Sequence, residues 1–206
     1  SILIVDDHPL FREAIKTVVA SLDRPISLDH TITLAATMQQ LEAAQSFDLI
    51  MLDLNLPDSS GLEGLTQIRA VYPDQKIVVV SATEAPSIIK RSLTLGALGF
   101  IPKSSSISDI REAISVSLQG ESWLPESANE EDEKRALPLT PTQTRILSGV
   151  MRGRLNKQIA FEIGITEATV KAHMTDIFRR LGVSNRTQAV IAARELNTEV
   201  QSPDAI

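Results

Sequence analysis

The chain has 206 residues, enough for one or two domains, and its 43% hydrophobic content can fill a sizeable core. It contains no cysteine, which excludes disulfides, thiol chemistry and cysteine-ligated zinc and fits a reducing cytosol. The net charge of -6 is uneven: residues 1–120 carry 9 basic and 14 acidic side chains, 121–138 carry 2 and 6, and 139–206 carry 9 and 6.

An acidic front and a basic back are expected where only the back meets nucleic acid. No apolar run reaches the ~18 residues of a membrane span. The opening Ser1-Ile2-Leu3-Ile4-Val5-Asp6-Asp7 is too short and acidic for a signal peptide. It looks like a strand whose preceding few residues are missing. A cytoplasmic protein with no membrane partner is therefore expected.

Up to about residue 120, apolar runs alternate with helix-like stretches. Ile2-Leu3-Ile4-Val5 reads as a strand, and 10–22 as a helix through Leu10, Ala14, Ile15, Val18, Val19 and Leu22. A weak strand is expected at 26–30 and a helix at 34–44. Leu49-Ile50-Met51-Leu52 is a buried strand that ends in Asp53, before the turn signal Asn55-Leu56-Pro57-Asp58. A helix over 62–72 stops before Pro73, and Ile77-Val78-Val79-Val80 is the next strand. A helix over 86–95 ends at Gly96, a short strand follows at 99–101, and a helix over 107–118 ends at Gly120. Ser106 and Asp109 stand at capping-box spacing. Five strands alternating with five helices imply a doubly wound parallel sheet with helices on both faces.

In such sheets the working site lies at the carboxyl ends of the strands. Asp6, Asp7, Asp53, Ser81 and Lys103 all fall there. Crowded carboxylates repel, and a hard dication removes the conflict. Mg2+ is the expected cofactor, with Asp7 and Asp53 as direct ligands, the Asn55 carbonyl as a third and Asp6 acting through water. Asp53 would keep one oxygen free to attack phosphorus, Lys103 would supply a second cation, and the Ser81 hydroxyl could hydrogen-bond the product.

These residues resemble the receiver domain of bacterial response regulators. The resemblance rests on Asp6-Asp7, Asp53, Ser81-Ala82 and Lys103. It also rests on Asp7-His8-Pro9-Leu10-Phe11-Arg12, Leu54-Asn55-Leu56-Pro57 with Gly61, and Gly99-Phe100-Ile101-Pro102-Lys103-Ser104. The wording is closest to the NarL/FixJ family, which implies a flavodoxin-like five-stranded sheet over 1–120. It implies that Asp53 accepts phosphate from a sensor histidine kinase. It further implies a switch in which Ser81 moves to the phosphoryl group and the Phe100 ring follows inward. His8 is set aside as a solvent-side residue.

Residues 121–138 read as an acidic, solvated linker, polar and without apolar periodicity from Glu126 to Arg135. Alternatively Glu130, Glu131, Asp132 and Glu133 form a strip that shields a basic DNA face.

From 139 to 206 a small all-α domain of four helices is expected. Thr140, Pro141 and Gln143 make a helix start. A second helix begins near Asn156, Gly164-Ile165 makes a turn, and Thr166 caps a third. In the third, Val170, Met174, Ile177 and Leu181 share one face, and Lys171, Thr175 and Arg179 share another. Two short helices joined by a glycine turn fit a helix-turn-helix. Lys171 would reach guanine acceptors or phosphate and Thr175 a base or a thymine methyl, while Lys157, Thr169 and Arg179 would hold phosphates. Ala172 and His173 lie on the same approach. The stretch resembles the LuxR-type DNA-binding domain through Leu139-Thr140-Pro141, Asn156-Lys157-Gln158-Ile159-Ala160, 165–173 and 181–189. Gln143 stands where that family usually has Glu, so its capping role survives and any salt bridge is lost. The last helix, with Ala189, Val190, Ala193 and Leu196, would by resemblance form a homodimer seam on DNA.

The combined reading is a response-regulator transcription factor, not an enzyme except toward its own Asp53, with double-stranded promoter DNA as its target. One alternative is a DNA-binding regulator whose receiver is never phosphorylated. Another is a metal-dependent phosphotransferase acting on a diffusible substrate. That one lacks an acid two residues after the nucleophile, where Asn55 stands, and leaves the helix-turn-helix unexplained. A basic module that binds protein instead of DNA is a third.

Overall fold

The computed structural model of the chain describes residues 1–22, 24–43, 46–128 and 138–194. The first part contains β1 (Ile2–Val5), α1 (Pro9–Ala20), β2 (Leu28–Thr31), α2 (Leu34–Glu42) and β3 (Leu49–Asp53). A two-stranded ribbon follows, β4 (Asn55–Leu56) and β5 (Ser59–Ser60). Then come α3 (Glu63–Val71), β6 (Ile77–Ser81), α4 (Pro86–Thr94), β7 (Gly99–Pro102) and α5 (Ile107–Gln119). The main sheet is parallel, in the order β2-β1-β3-β6-β7.

Alternation along the strands sorts the core. Leu3, Val5, Ile50, Leu52, Val79 and Phe100 face α2, α3 and α4, while Ile2, Ile4, Met51, Val78, Val80 and Ile101 face α1 and α5. Strands buried on both faces are near-continuous apolar runs, which is why they were legible. The weak second strand is the exception: it begins at Leu28, not Ile26, and ends at Thr31. Its Asp29 and His30 are exposed because it is the edge. The turn signal after Asp53 also holds more order than a turn, since Asn55 pairs with Ser60 and Leu56 with Ser59. Within that ribbon's loop, Asp58 accepts hydrogen bonds from the Leu34 and Ala35 N–H groups at 2.8 and 2.9 Å. It thereby caps α2 from 24 residues away.

The carboxyl-terminal domain contains α6 (Pro141–Met151), α7 (Asn156–Ile163), α8 (Glu167–Leu181) and α9 (Arg186–Arg194). Capping boxes form at Ser106 with Asp109 and at Thr140 with Gln143, and at the spacing of Asn185 and Gln188 the Gln188 N–H donates to Asn185 while the Gln188 side chain accepts from the Ser184 N–H. Helix α6 is buried on nearly every side, including Gln143, Thr144 and Ser148. One side meets its own domain and another packs along α3, so a single apolar cluster runs from the sheet into the helical domain. The Leu139 N–H donates to the Thr94 carbonyl at 2.8 Å across the same junction.

The expected linker divides. Its front lies along the edge strand β7: the Phe100 N–H donates to the Trp123 carbonyl at 3.1 Å. Trp123 packs on one face of the sheet, and Leu124 and Ala128 pack toward the other. Trp123, Leu124 and Ala128 are partly covered, because an unpaired sheet edge is a better partner for apolar side chains than water, while Glu121, Ser122, Glu126 and Ser127 stay exposed. The proposed acidic strip, Glu130 to Glu133, lies outside the described residues, as does Leu196.

Candidate functional site

Strand register brings the polar residues to one end of the sheet. Asp6 and Asp7 follow β1, Asp53 closes β3, Ser81 closes β6 and Lys103 follows β7. Asp6 and Asp53 are 1% and 3% exposed. Two buried carboxylates require a cation, and Lys103 Nζ lies 2.7 Å from Asp6 Oδ2 and 2.8 Å from Asp53 Oδ2. The other Asp53 oxygen accepts the Asn55 N–H at 3.1 Å. Burial pushes the Asp53 carboxyl above its ordinary range, while the Lys103 ammonium and the Asn55 N–H pull it back. Ser81 is fully buried, and its Oγ accepts the Thr83 N–H at 3.1 Å.

Ligand atoms of Asp6, Asp7, His8 and Asp53 all lie within 4.8 Å of one another. Asp7 Oδ1 is buried and accepts no hydrogen bond. An orphaned carboxylate oxygen among other carboxylates suits a divalent cation, so the residues present fit the expected metal. His8 is exposed, as a solvent-side residue would be. Its ring is 62% exposed, but Nδ1 turns inward, 2.8 Å from Asp7 Oδ1 and 3.3 Å from Asp6 Oδ1. Pro9 holds the preceding residue in extended backbone, and His8 has φ -83° and ψ 108°.

Phe100 is fully buried in this arrangement.

On the helical domain, Gly164 takes a left-handed φ of 74° between α7 and α8, which makes the turn between the two helices. Val170, Met174, Ile177 and Leu181 are buried, while Lys171, Ala172, Thr175, Arg179 and, on α7, Lys157 are exposed. Thr169 and His173 are half-buried. Lys171 pairs with Glu167 at 3.2 Å, and Arg179 pairs with Asp176. Asp176 also receives Arg180 Nε at 2.9 Å and Gln143 Nε2 at 2.5 Å. The Gln143 amide thus keeps the capping bond and adds a donor that a glutamate lacks. In α9, Ala189 and Ala193 are buried within the chain, and Val190 is half-buried. Arg194 Nε lies 3.7 Å from Glu63 of α3, and its carbonyl closes on Gly61. The expected seam helix is covered here by the chain's own core and by the start of α3.

The profile of the family described as "Response regulator receiver domain" matches residues 2–115. That of "Bacterial regulatory proteins, luxR family" matches 137–193. The chain is 37% identical to the glycerol metabolism activator of Pseudomonas putida, over 95% of this chain and 96% of the relative. It is 32% identical to the nitrate/nitrite response regulator protein NarL of Escherichia coli strain K12, over 93% of each. Among solved structures, the RcsB response regulator in complex with DNA superposes with a TM-score of 0.57 at 22% identity. That match covers 93% of this chain and 96% of the other, and the likeness is one of fold.

Proposed function

The chain belongs to the two-component response regulators that join a receiver to a luxR-type DNA-binding domain, and on that premise we propose that Asp53 is its phosphoacceptor. A sensor histidine kinase is the donor, and the phosphoryl group controls dimerisation and sequence-specific DNA binding. The observation that carries this reading is the buried Asp53 carboxylate, held by Lys103 on one oxygen and by the Asn55 N–H on the other.

The transfer needs little covalent chemistry beyond the nucleophile. An Asp53 oxygen forms a bond to phosphorus as the phosphorus–nitrogen bond to the donor imidazole breaks, and the leaving ring takes up a proton. Lys103 already stands within hydrogen-bond distance of Asp53, so its ammonium faces the negative charge that arrives. The Ser81 hydroxyl, at the end of the neighbouring strand, donates to the aspartyl phosphate. When bound, Mg2+ held by Asp7, Asp53 and the Asn55 carbonyl, with Asp6 through water, supplies charge neutralisation between carboxylates and phosphate. Exposed Leu10 and Ile107 open α1 and α5 at this end of the sheet and offer the kinase an apolar rim. A regulator that reads promoter DNA works in the cytoplasm, where that DNA is.

Two states must differ in their contacts with the phosphoryl group for this to act as a switch. The test is DNA-bound dimer formation with and without a small-molecule phosphodonor, for the wild type and Asp53→Asn. The wild type is expected to respond and Asp53→Asn to remain at the basal level. Equal binding in all four cases would favour a phosphorylation-independent regulator. On the DNA side, Lys171→Ala is expected to weaken binding and to lower the salt slope by about 1. An unchanged slope removes Lys171 from the phosphate contacts and leaves it as a reader of bases.

A further inference from the structure

The crevice between the two domains carries a polar stripe that no contact within the chain uses. We propose that Arg145, Ser148 and Arg152 form an anion site there, and that it takes a small phosphate monoester with a short apolar body. The site is separate from Asp53 and from the cations of α7 and α8, so it stands or falls independently of the phosphoacceptor reading.

Three observations support it. First, two guanidiniums are unpaired. Arg145 and Arg152 are exposed and line the crevice, and among the described residues neither side chain meets a carboxylate or a carbonyl. The side chains of Arg154, Arg179, Arg180, Arg186 and Arg194, in the same domain, all do. Second, Ser148 lines the crevice between them and is only 3% exposed, yet among the described residues its hydroxyl has no partner. That is unusual for a buried helical hydroxyl in this chain. Thr144, one turn earlier, donates to the Thr140 carbonyl at 3.2 Å, and Ser92 and Thr66 bond back in the same way at 2.8 and 2.9 Å. A buried polar group without a partner is costly, and a ligand oxygen removes the cost. Third, the spacing of i, i+3 and i+7 puts the three residues on one face of α6 and its cap, within about 10 Å along the axis. Two long arginine side chains can therefore converge over the hydroxyl.

The chemical class follows from the donors and the walls. Two guanidinium forks and one hydroxyl suit a group with several oxygens and a double negative charge, which a phosphate monoester offers and a carboxylate does not. The one carboxylate on the rim, Glu162, is held by Arg154 Nε at 3.3 Å. The rest of the lining is largely apolar, with Met38, Ala70 and Val71 on one side and Ile159 and Ile163 on the other. The crevice measures about 290 Å3, the lower end of small-molecule sites, so the body must be short. Its walls come from α2 and α3 of one domain and α6 and α7 of the other. An occupant touches both, offsets the repulsion between the two cations, and favours the docked arrangement by mass action.

The experiment is calorimetry on the full chain at constant ionic strength, with phenyl phosphate and inorganic phosphate as probes. The wild type and Asp53→Asn are expected to bind phenyl phosphate saturably and equally. Arg145→Ala with Arg152→Ala is expected to lower that affinity by at least about tenfold, since hydrogen bonds between charged groups are the strong ones. Both arginines are exposed, so this variant is expected to keep the wild-type melting temperature. Inorganic phosphate is expected to bind several-fold more weakly than phenyl phosphate. No saturable binding overturns the proposal, as does equal affinity in the wild type and the double variant. Loss of binding in Asp53→Asn also overturns it, by moving the probe to the acidic site. Equal affinity for the two probes strikes out the apolar body. The double variant is also expected to keep the wild-type salt slope of DNA binding. A slope lowered by about 2 assigns the arginines to the DNA backbone and overturns the site.

Discussion

At the scale of single residues, Asp176 shows how a substitution creates a contact. Arg179, Arg180 and Gln143 all donate to its carboxylate and hold its pKa at about 2, below the ordinary 3.8. The unfolded chain takes up the proton more readily than the folded one. Stability from this group is therefore complete above 3.8 and is lost as pH falls through about 2. Asp176→Asn is expected to lower the melting temperature at neutral pH, with the gap from the wild type closing at the acid end. A gap that does not change with pH would assign the effect to packing instead of charge. The same carboxylate restrains Arg179, which helps to fix the side chains of α8 before DNA binds.

Edge coverage is the issue at the scale of elements. Among the described residues β7 has no strand beyond it, and the segment around Trp123 takes that place. The fit depends on Gly99: a Cβ there would lie 2.6 Å from the Trp123 carbonyl oxygen. Gly99→Val is expected to displace the segment and to cost about 1–3 kcal/mol, the usual range for overpacking. Trp123 is the only tryptophan of the chain, so its fluorescence reports the event directly. A red shift is expected, and an unshifted spectrum with unchanged stability counts against the strap. Because the strap is bonded to the backbone of Phe100, it also connects that buried ring's strand with the chain that leads to the helical domain.

For the whole molecule, the junction between domains decides what is free to act. The α3–α6 contact joins the two cores, and the start of α3 abuts the end of α9. The exposed cations of α7 and α8 stay open to solvent, while Ala189 and Ala193 are covered. In this arrangement docking competes with the proposed dimer seam more than with the proposed DNA face. Gln67 of α3 lines the crevice that also contains Arg145 and Arg152. Gln67→Arg is expected to add like-charge repulsion there and separate the domains. Small-angle scattering should then give a larger radius of gyration, and unphosphorylated protein should form DNA-bound dimers more readily. An unchanged radius would mean that apolar packing along α6 outweighs the added charge.

By itself, the sequence determined the local and periodic features: the central strands, the α5 and α6 capping boxes, the two faces of α8, and the acidic and cationic residues at strand ends. Each of these follows from side-chain period or from chemistry within a few positions, so no distant partner is needed to read it. Only the tertiary structure decided that Asp58 caps α2, that 121–128 covers the edge of β7, that His8 turns into the carboxylates and that α9 meets α3. These depend on which surfaces are left unpaired once the sheet has formed, and sequence spacing contains no record of that. Asp53 belongs to both. A carboxylate at the end of an apolar strand is visible in the sequence, but its burial and its contact with Lys103, 50 residues away and 2.8 Å distant, come from the fold.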